Sequence, residues 1–198
     1  MSPNIVLVAG SSQLDSQSAK VARYLAARLE SLALCGWAQV IDLGAQPLPL
    51  WPAPDTEQTW PQHRDLLREA DALVVIAPEW HGMACPALKN FFLYAGLREL
   101  GHKPALPVGV SAGLGGAYPL TELRASSYKN SRIAYLPEQL VVRRVECMFN
   151  DGPPHDEDDE RLRERADWAL RMLCHYASAT RGLRELSGVF DPAYANGM

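Results

Sequence analysis

The chain has 198 residues, 47% of them apolar and 21% charged, with a formal net charge of −4. That size and balance describe one ordinary folded domain with an adequate core, and the negative balance argues against nucleic acid or an anionic membrane as the main partner. No apolar run approaches the roughly 18 residues of a membrane span, and no signal-peptide core precedes the first strand pattern, so a cytoplasmic location is expected.

The first strand is Asn4-Ile5-Val6-Leu7-Val8-Ala9, ending in Gly10-Ser11-Ser12. Residues 18–34 then carry Val21, Ala22, Leu25, Leu29 and Leu32 at helical spacing. A second strand is predicted at 39–43. The stretch 44–60 holds four prolines together with Trp51 and Trp60, a long irregular loop of the kind that covers or serves a site. A short helix at 62–70 leads to the apolar third strand, 72–77. Pro86, suited to a first helical turn, opens a helix predicted to run to Leu97. Its Phe91–Leu97 segment is apolar nearly all round, which implies both core and subunit contact. A fourth strand is predicted at 105–110, a helix at 119–130 and a fifth strand near 139–142. The acidic run 156–160 opens a last helix to about Ser178, where negative charge suits the helix dipole.

Five strands alternating with five helices predict an α/β fold. The expected architecture is a flavodoxin-like, doubly wound, five-stranded parallel sheet of order 2-1-3-4-5 with helices on both faces. Residues 1–181 form the single domain and 182–198 an irregular tail. The four cysteines, at 35, 85, 147 and 174, form no CxxC or metal-ligand spacing, so reduced thiols and no metal site are expected.

In that order the loops leaving strands 1, 3 and 4 are neighbours at the carboxyl ends of the strands, where open α/β sheets bind ligands. The first, residues 10–18, brings Ser11, Gln13, Ser16, Gln17 and Ser18 to a helix N-terminus, whose N–H groups and dipole favour an anion. It is not a P-loop, because GxxxxGK[ST] is absent. The second, residues 78–85, carries Pro78, Glu79, Trp80, His81 and Gly82. The third, residues 111–116, carries Ser111, Gly113 and Gly116, with glycines that permit close backbone approach. A phosphate cradle beside two backbone-lined walls suits a mononucleotide with a planar ring, and FMN is the natural candidate.

These loops resemble the NAD(P)H-dependent FMN reductase family, which includes quinone, azo-dye and chromate reductases. Residues 10–18 fall on the family's GSxRxxSxN, residues 78–90 on PEYNxSxPxxLKN, and residues 111–116 on SxGxxGG; the likeness runs over about residues 4–145. Gln13 stands where the family usually has Arg, and Ser18 where it has Asn. Trp80 and His81 replace Tyr and Asn. The resemblance implies an FMN-binding oxidoreductase that passes hydride from NAD(P)H through the flavin to a small acceptor: a flavin, quinone, azo compound or metal oxyanion. It implies that Ser11, Ser16, Gln17 and Ser18 hold the phosphate, while the second and third loops frame the ring. Glu79 has a second available role, fixing its loop by a hydrogen bond. No essential catalytic acid or base is expected, with His81 the best candidate for one. A homodimer or homotetramer is expected, with the 47–60 loop covering a neighbouring subunit's flavin. The alternative is a degenerate relative with weak or no FMN binding, acting as a ligand-binding or interaction module. A serine hydrolase lacks its G-x-S-x-G elbow, and a Rossmann dehydrogenase its G-x-G-x-x-G.

Overall fold

A computed structural model describes residues 2–186 and 188–196. Three apolar segments pair in parallel at its centre: β1 (Asn4–Ala9) lies between β2 (Trp37–Asp42) and β3 (Ala72–Trp80). Beyond β3 lie β5 (Pro104–Val110) and then β6 (Ala134–Tyr135), in the order β2-β1-β3-β5-β6. Two further strands leave that path: β4 (Met83–Ala84) runs antiparallel to β3, and β7 (Leu140–Val142) pairs with β5. The expected five-stranded sheet of order 2-1-3-4-5 is therefore corrected to seven strands.

Both differences have local causes. The third strand does not end at Ala77 but runs on to Trp80 and turns at His81 and Gly82, whose φ values are 50° and 76°. Two consecutive left-handed residues make the tight turn that matches strand twist, so the chain returns as β4. At the far edge, β6 pairs with Pro104–Ala105 and β7 with Val108–Val110. Pro137 lies between them, and with no N–H it cannot continue a ladder.

Alternate strand residues face two separate cores, as a pleat of period two requires. Ile5, Leu7, Val74, Ile76, Leu106 and Val108 pack with α1 (Gln17–Ser31) and α6 (Glu157–Thr180). Val6, Val8, Leu73 and Val75 pack with α2 (Thr59–Glu69), α3 (Pro86–Tyr94) and, through Leu123, α5 (Tyr118–Ser126). The helix predicted over 86–97 stops at Tyr94, and a separate turn, α4 (Leu97–Leu100), follows Gly96. Within its apolar segment Phe91 is buried, whereas Leu93 is 57% exposed. The 47–60 loop packs on the same chain's α3. Asn90 donates to the carbonyls of Leu48 and Pro49 and accepts from Trp51 N, while Trp51 and Trp60 both meet the Tyr94 ring.

The segment expected to be an irregular tail contains short 3-10 turns at Arg181–Glu185 and Pro192–Tyr194. Arg181 and Arg184 both clamp Asp71 at the start of β3, at 2.8 and 2.9 Å. Burial pushes the Asp71 carboxyl up, but the arginines and the Asn4 N–H outweigh it and hold it below its usual range. No described helix is long and apolar enough to cross a membrane.

Lys103 is 3% exposed and donates to the Leu67 and Arg68 carbonyls in the last turn of α2. Burial lowers its pKa to about 7. Between about pH 7 and 10.5 the unfolded chain therefore binds more protons than the folded one, and stability rises with pH by up to about 1.4 kcal/mol per unit. Below that window both states are protonated and the slope vanishes. Denaturant midpoints measured from pH 6.5 to 8.5 should climb in the wild type more steeply than in Lys103→Met; parallel slopes would show that the amine is not neutralised by folding.

Candidate functional site

The sheet register sets the strand ends side by side. Ala9 lies opposite Ile76, Pro78 opposite Val110, and Val110 opposite Val142. The chain leaves β1 toward β2 on one side and leaves β3 toward β5 on the other, so the two connections diverge and a crevice opens above the carboxyl ends of β1 and β3. A cleft of about 210 Å³ lies there, lined by Ser11, Gln13, Ser16, Gln17, Ser18, Pro78, Glu79, Trp80 and Ser111, together with Val110, Ala112 and Val145.

The first loop is held close to the sheet. Gly10 N donates to Ile76 O at 2.9 Å, and a side chain at Gly10 would meet that oxygen at 2.6 Å. Ser16 caps α1 by accepting from Ala19 N at 3.1 Å, and Lys20 N makes the helix's first turn bond to Ser16 O. The amides of Gln17 and Ser18 precede that bond, so helix geometry gives them no intrahelical acceptor. Ser11 Oγ accepts from Gln13 N and Ser111 Oγ from Gly113 N, each at 3.2 Å. A hydroxyl that accepts still has its own proton to give. Ser18 is 1% exposed and its Oγ has no hydrogen-bond partner. A buried hydroxyl left unpaired costs free energy, so its placement at a helix N-terminus inside a cleft is a signature of a missing acceptor.

The predicted site residues divide into groups. The serines of the first loop, Gln13, Gln17, Pro78, Glu79, Trp80 and Ser111 line one cleft. His81 and Gly82 form the exposed tip of the β3–β4 hairpin and do not line it. Gly113 is exposed, with nothing within 4 Å of where its Cβ would be. Gly116 is buried with φ 101°, and its N–H donates to Glu79 Oε2 at 2.6 Å. The hairpin's return strand is held by α5: Ala84 N donates to Glu122 Oε2 at 2.7 Å, and Glu122 pairs with Lys89.

Sequence reasoning does not reach Val145, which also lines the cleft. This residue lies just past β7 and so leaves the same strand ends as the other loops; the strand expected at 139–142 is signal enough to count the segment beyond it. The third loop leans on that segment, with Val145 N donating to Ser111 O and Arg144 N to Gly113 O. Lys20 of α1 reaches across to Val145 O at 2.6 Å. A larger cavity, about 440 Å³, lies between α3 and α5. Its serines are spent on the backbone, Ser126 on Glu122 O, Ser127 on Leu123 O and Ser131 on Ser127 O. The buried hydroxyl without a partner, Ser18 Oγ, belongs to the smaller cleft. Among the described residues no His, Cys, Asp and Glu cluster could hold a metal ion.

Several known proteins are similar to this chain. An NADPH azoreductase of Bacillus sp. (strain OY1-2) is 28% identical over 145 residues, 70% of this chain and 75% of its own. An FMN-dependent NADPH-azoreductase of Staphylococcus aureus (strain USA300) is 25% identical over 168 residues, covering 81% of this chain and 88% of its own. The solved structure of a flavoenzyme NAD(P)H:(acceptor) oxidoreductase from Paracoccus denitrificans matches with a TM-score of 0.69 at 19% identity, over 90% of this chain and 98% of that one. An apo NADH:FMN oxidoreductase structure gives 0.70 at 18% identity, over 98% and 95%. At those identities the structural likeness speaks for the fold alone. The model of the NADPH-dependent FMN reductase family matches residues 3–146, well over half of the chain, and the protein belongs to that family.

Proposed function

We propose that this enzyme holds FMN across the strand-end cleft and passes hydride and electrons from NAD(P)H to a small acceptor of the flavin, quinone, azo or metal-oxyanion class. The observation that carries the reading is Ser18: a buried hydroxyl without a partner, at the N-terminus of a 15-residue helix, among other serines that line the same cleft. That donor set fits a phosphate. Neutral O–H and N–H groups at a helix N-terminus meet an anion's oxygens and gain from the dipole.

Ser11, Ser16, Gln17 and Ser18 would hold the phosphate. Trp80 offers a flat apolar surface for the ring, with Pro78 lining the same cleft and His81 and Gly82 outside its lining, at the exposed hairpin tip. Ser111, Gly113 and Gly116 would bound the other edge; their N–H groups are spent on Val142 O, Ser111 Oγ and Glu79, which leaves the Ser111 hydroxyl proton as the donor there, without a titrating residue. Bound FMN supplies the redox chemistry itself; the chain supplies orientation and fixed donors, and no side chain is required as a catalytic acid or base. Gln13 lines the cleft without the positive charge that the family usually places there. The phosphate grip therefore rests on neutral donors. The degenerate, non-binding alternative gains nothing from the structure, because the donors converge and remain unspent.

Assembly as a homodimer or homotetramer and a cytoplasmic setting belong to the same proposal. Exposed Leu50, Trp51, Met83 and Leu93 supply apolar surface for the assembly.

The test is an absorbance spectrum of purified protein before and after FMN is added and the excess removed. Retained flavin bands, bleached by NADPH or NADH, are the expected result. A protein that retains no flavin and shows no binding on titration would overturn the reading.

A further inference from the structure

We infer that Glu79 is a positioning residue that locks the two ring-side loops into one preformed wall by way of Gly116, rather than a ligand of the cofactor. The inference rests on reading the cleft as the FMN site.

The β3–β4 hairpin is small: only Glu79 opposite Ala84 and Trp80 opposite Met83 are paired. So short a two-stranded hairpin is marginal by itself, and its orientation must come from contacts outside it. Two carboxylates provide them. Glu122 of α5 takes the Ala84 N–H of the return strand, and Glu79 takes the Gly116 N–H of the third loop at 2.6 Å. The second contact spans the cleft rim, joining the strand that carries Trp80 to the loop that begins at Ser111.

The third loop needs that contact. Ala112, Gly113 and Leu114 are exposed, and Gly113 has no neighbour on its side-chain side. At Gly115 an added Cβ would come within 2.4 Å of Glu79 Oε1, so the loop backbone lies directly against the carboxylate. Gly116 sits at φ 101°, a conformation that favours glycine and that lets its N–H turn back toward β3. The bond is charge-assisted, short and partly buried, the strong class of hydrogen bond. Because the Gly116 N–H is spent on Glu79, those two residues shape the wall, and Trp80 and Ser111, which line the cleft, are left to face the ring.

The role needs an acceptor oxygen at that place and not a negative charge. Glutamine therefore preserves it and alanine removes it. The experiment compares wild type, Glu79→Gln, Glu79→Ala and Gly115→Ala, the last a second route to displacing the carboxylate. Each is studied first without flavin, by amide hydrogen exchange of the 111–118 segment, and then by FMN titration followed through flavin fluorescence. In Glu79→Ala and Gly115→Ala the segment should exchange about tenfold faster and the FMN dissociation constant should rise about tenfold, whereas Glu79→Gln should stay within about threefold of wild type on both. Unchanged exchange in Glu79→Ala overturns the inference. So does a Glu79→Gln variant as weak as alanine with normal exchange, which would make the charge a direct ligand contact. A wild-type chain that binds no FMN defeats the flavin reading instead, and the exchange measurement still decides Glu79.

Discussion

Replacing Ser18 with alanine is expected to raise the melting temperature of the flavin-free chain and to weaken FMN binding at the same time. The hydroxyl is buried and unpartnered, so the ligand-free fold carries its desolvation cost without return. Alanine removes that cost and is a better helix former near the start of α1, together worth about 1 kcal/mol, or roughly 2–4 °C for a chain of this size. With FMN present the sign reverses. A hydroxyl donating to a charged phosphate contributes about 1.5–3 kcal/mol, so the dissociation constant should rise roughly ten- to a hundredfold. Ser18→Asp goes further, placing a carboxylate where the anion must sit, and should abolish retention of FMN. Thermal melts of the stripped protein and a flavin titration decide the matter. A Ser18→Ala chain that is less stable without flavin would mean that the hydroxyl serves the fold and not a ligand.

Such opposed signs mark a group kept for function at the expense of stability, and they bear on how much the sequence discloses. The apolar runs 4–9, 72–76 and 105–110 read as central strands because strands buried on both faces are nearly continuous in hydrophobicity. Once their order is taken as doubly wound, the ligand loops follow from topology, and nine of the thirteen expected site residues do line one cleft: Ser11, Gln13, Ser16, Gln17, Ser18, Pro78, Glu79, Trp80 and Ser111.

The features that escape the sequence are short or distant. The β3–β4 hairpin has two paired residues on each side of its turn, too few for alternation to show, and its turn uses His81 where asparagine or aspartate would be the signal. The split far edge depends on Pro137 falling inside the pairing region rather than after it. Polar pairings such as Arg181 and Arg184 with Asp71, more than a hundred residues apart in the chain, leave no local pattern. Nor does the unpartnered state of Ser18, which looks in sequence like any serine in a helix's first turn.

The tightest backbone approach beneath the site is at Gly109, and Gly109→Ala is expected to cost both stability and cofactor. Gly109 lies within β5, opposite Ala77 on one side and Val141 on the other, so strand pairing fixes its backbone. The third loop folds back over it. A Cβ at position 109 would stand 1.8 Å from Gly116 O and 2.9 Å from its carbonyl carbon. Contacts that close do not exist between real atoms, and the strand cannot yield without breaking its ladder. The loop must lift instead, drawing the Gly116 N–H away from Glu79 and uncovering the cleft edge. Overpacking of this kind costs about 1–3 kcal/mol, which lowers the melting temperature by about 2–12 °C. The loss of FMN should be larger than that stability cost predicts, because the displaced loop is a wall of the site. Gly82→Ala is the comparison: its φ of 76° imposes backbone strain too, but nothing lies within 4 Å of its Cβ position, at the exposed hairpin tip. If Gly109→Ala and Gly82→Ala destabilise alike and bind FMN alike, the Gly109–Gly116 contact does not govern the site. If Gly109→Ala alone releases the flavin, the strand floor and the loop above it act as one body.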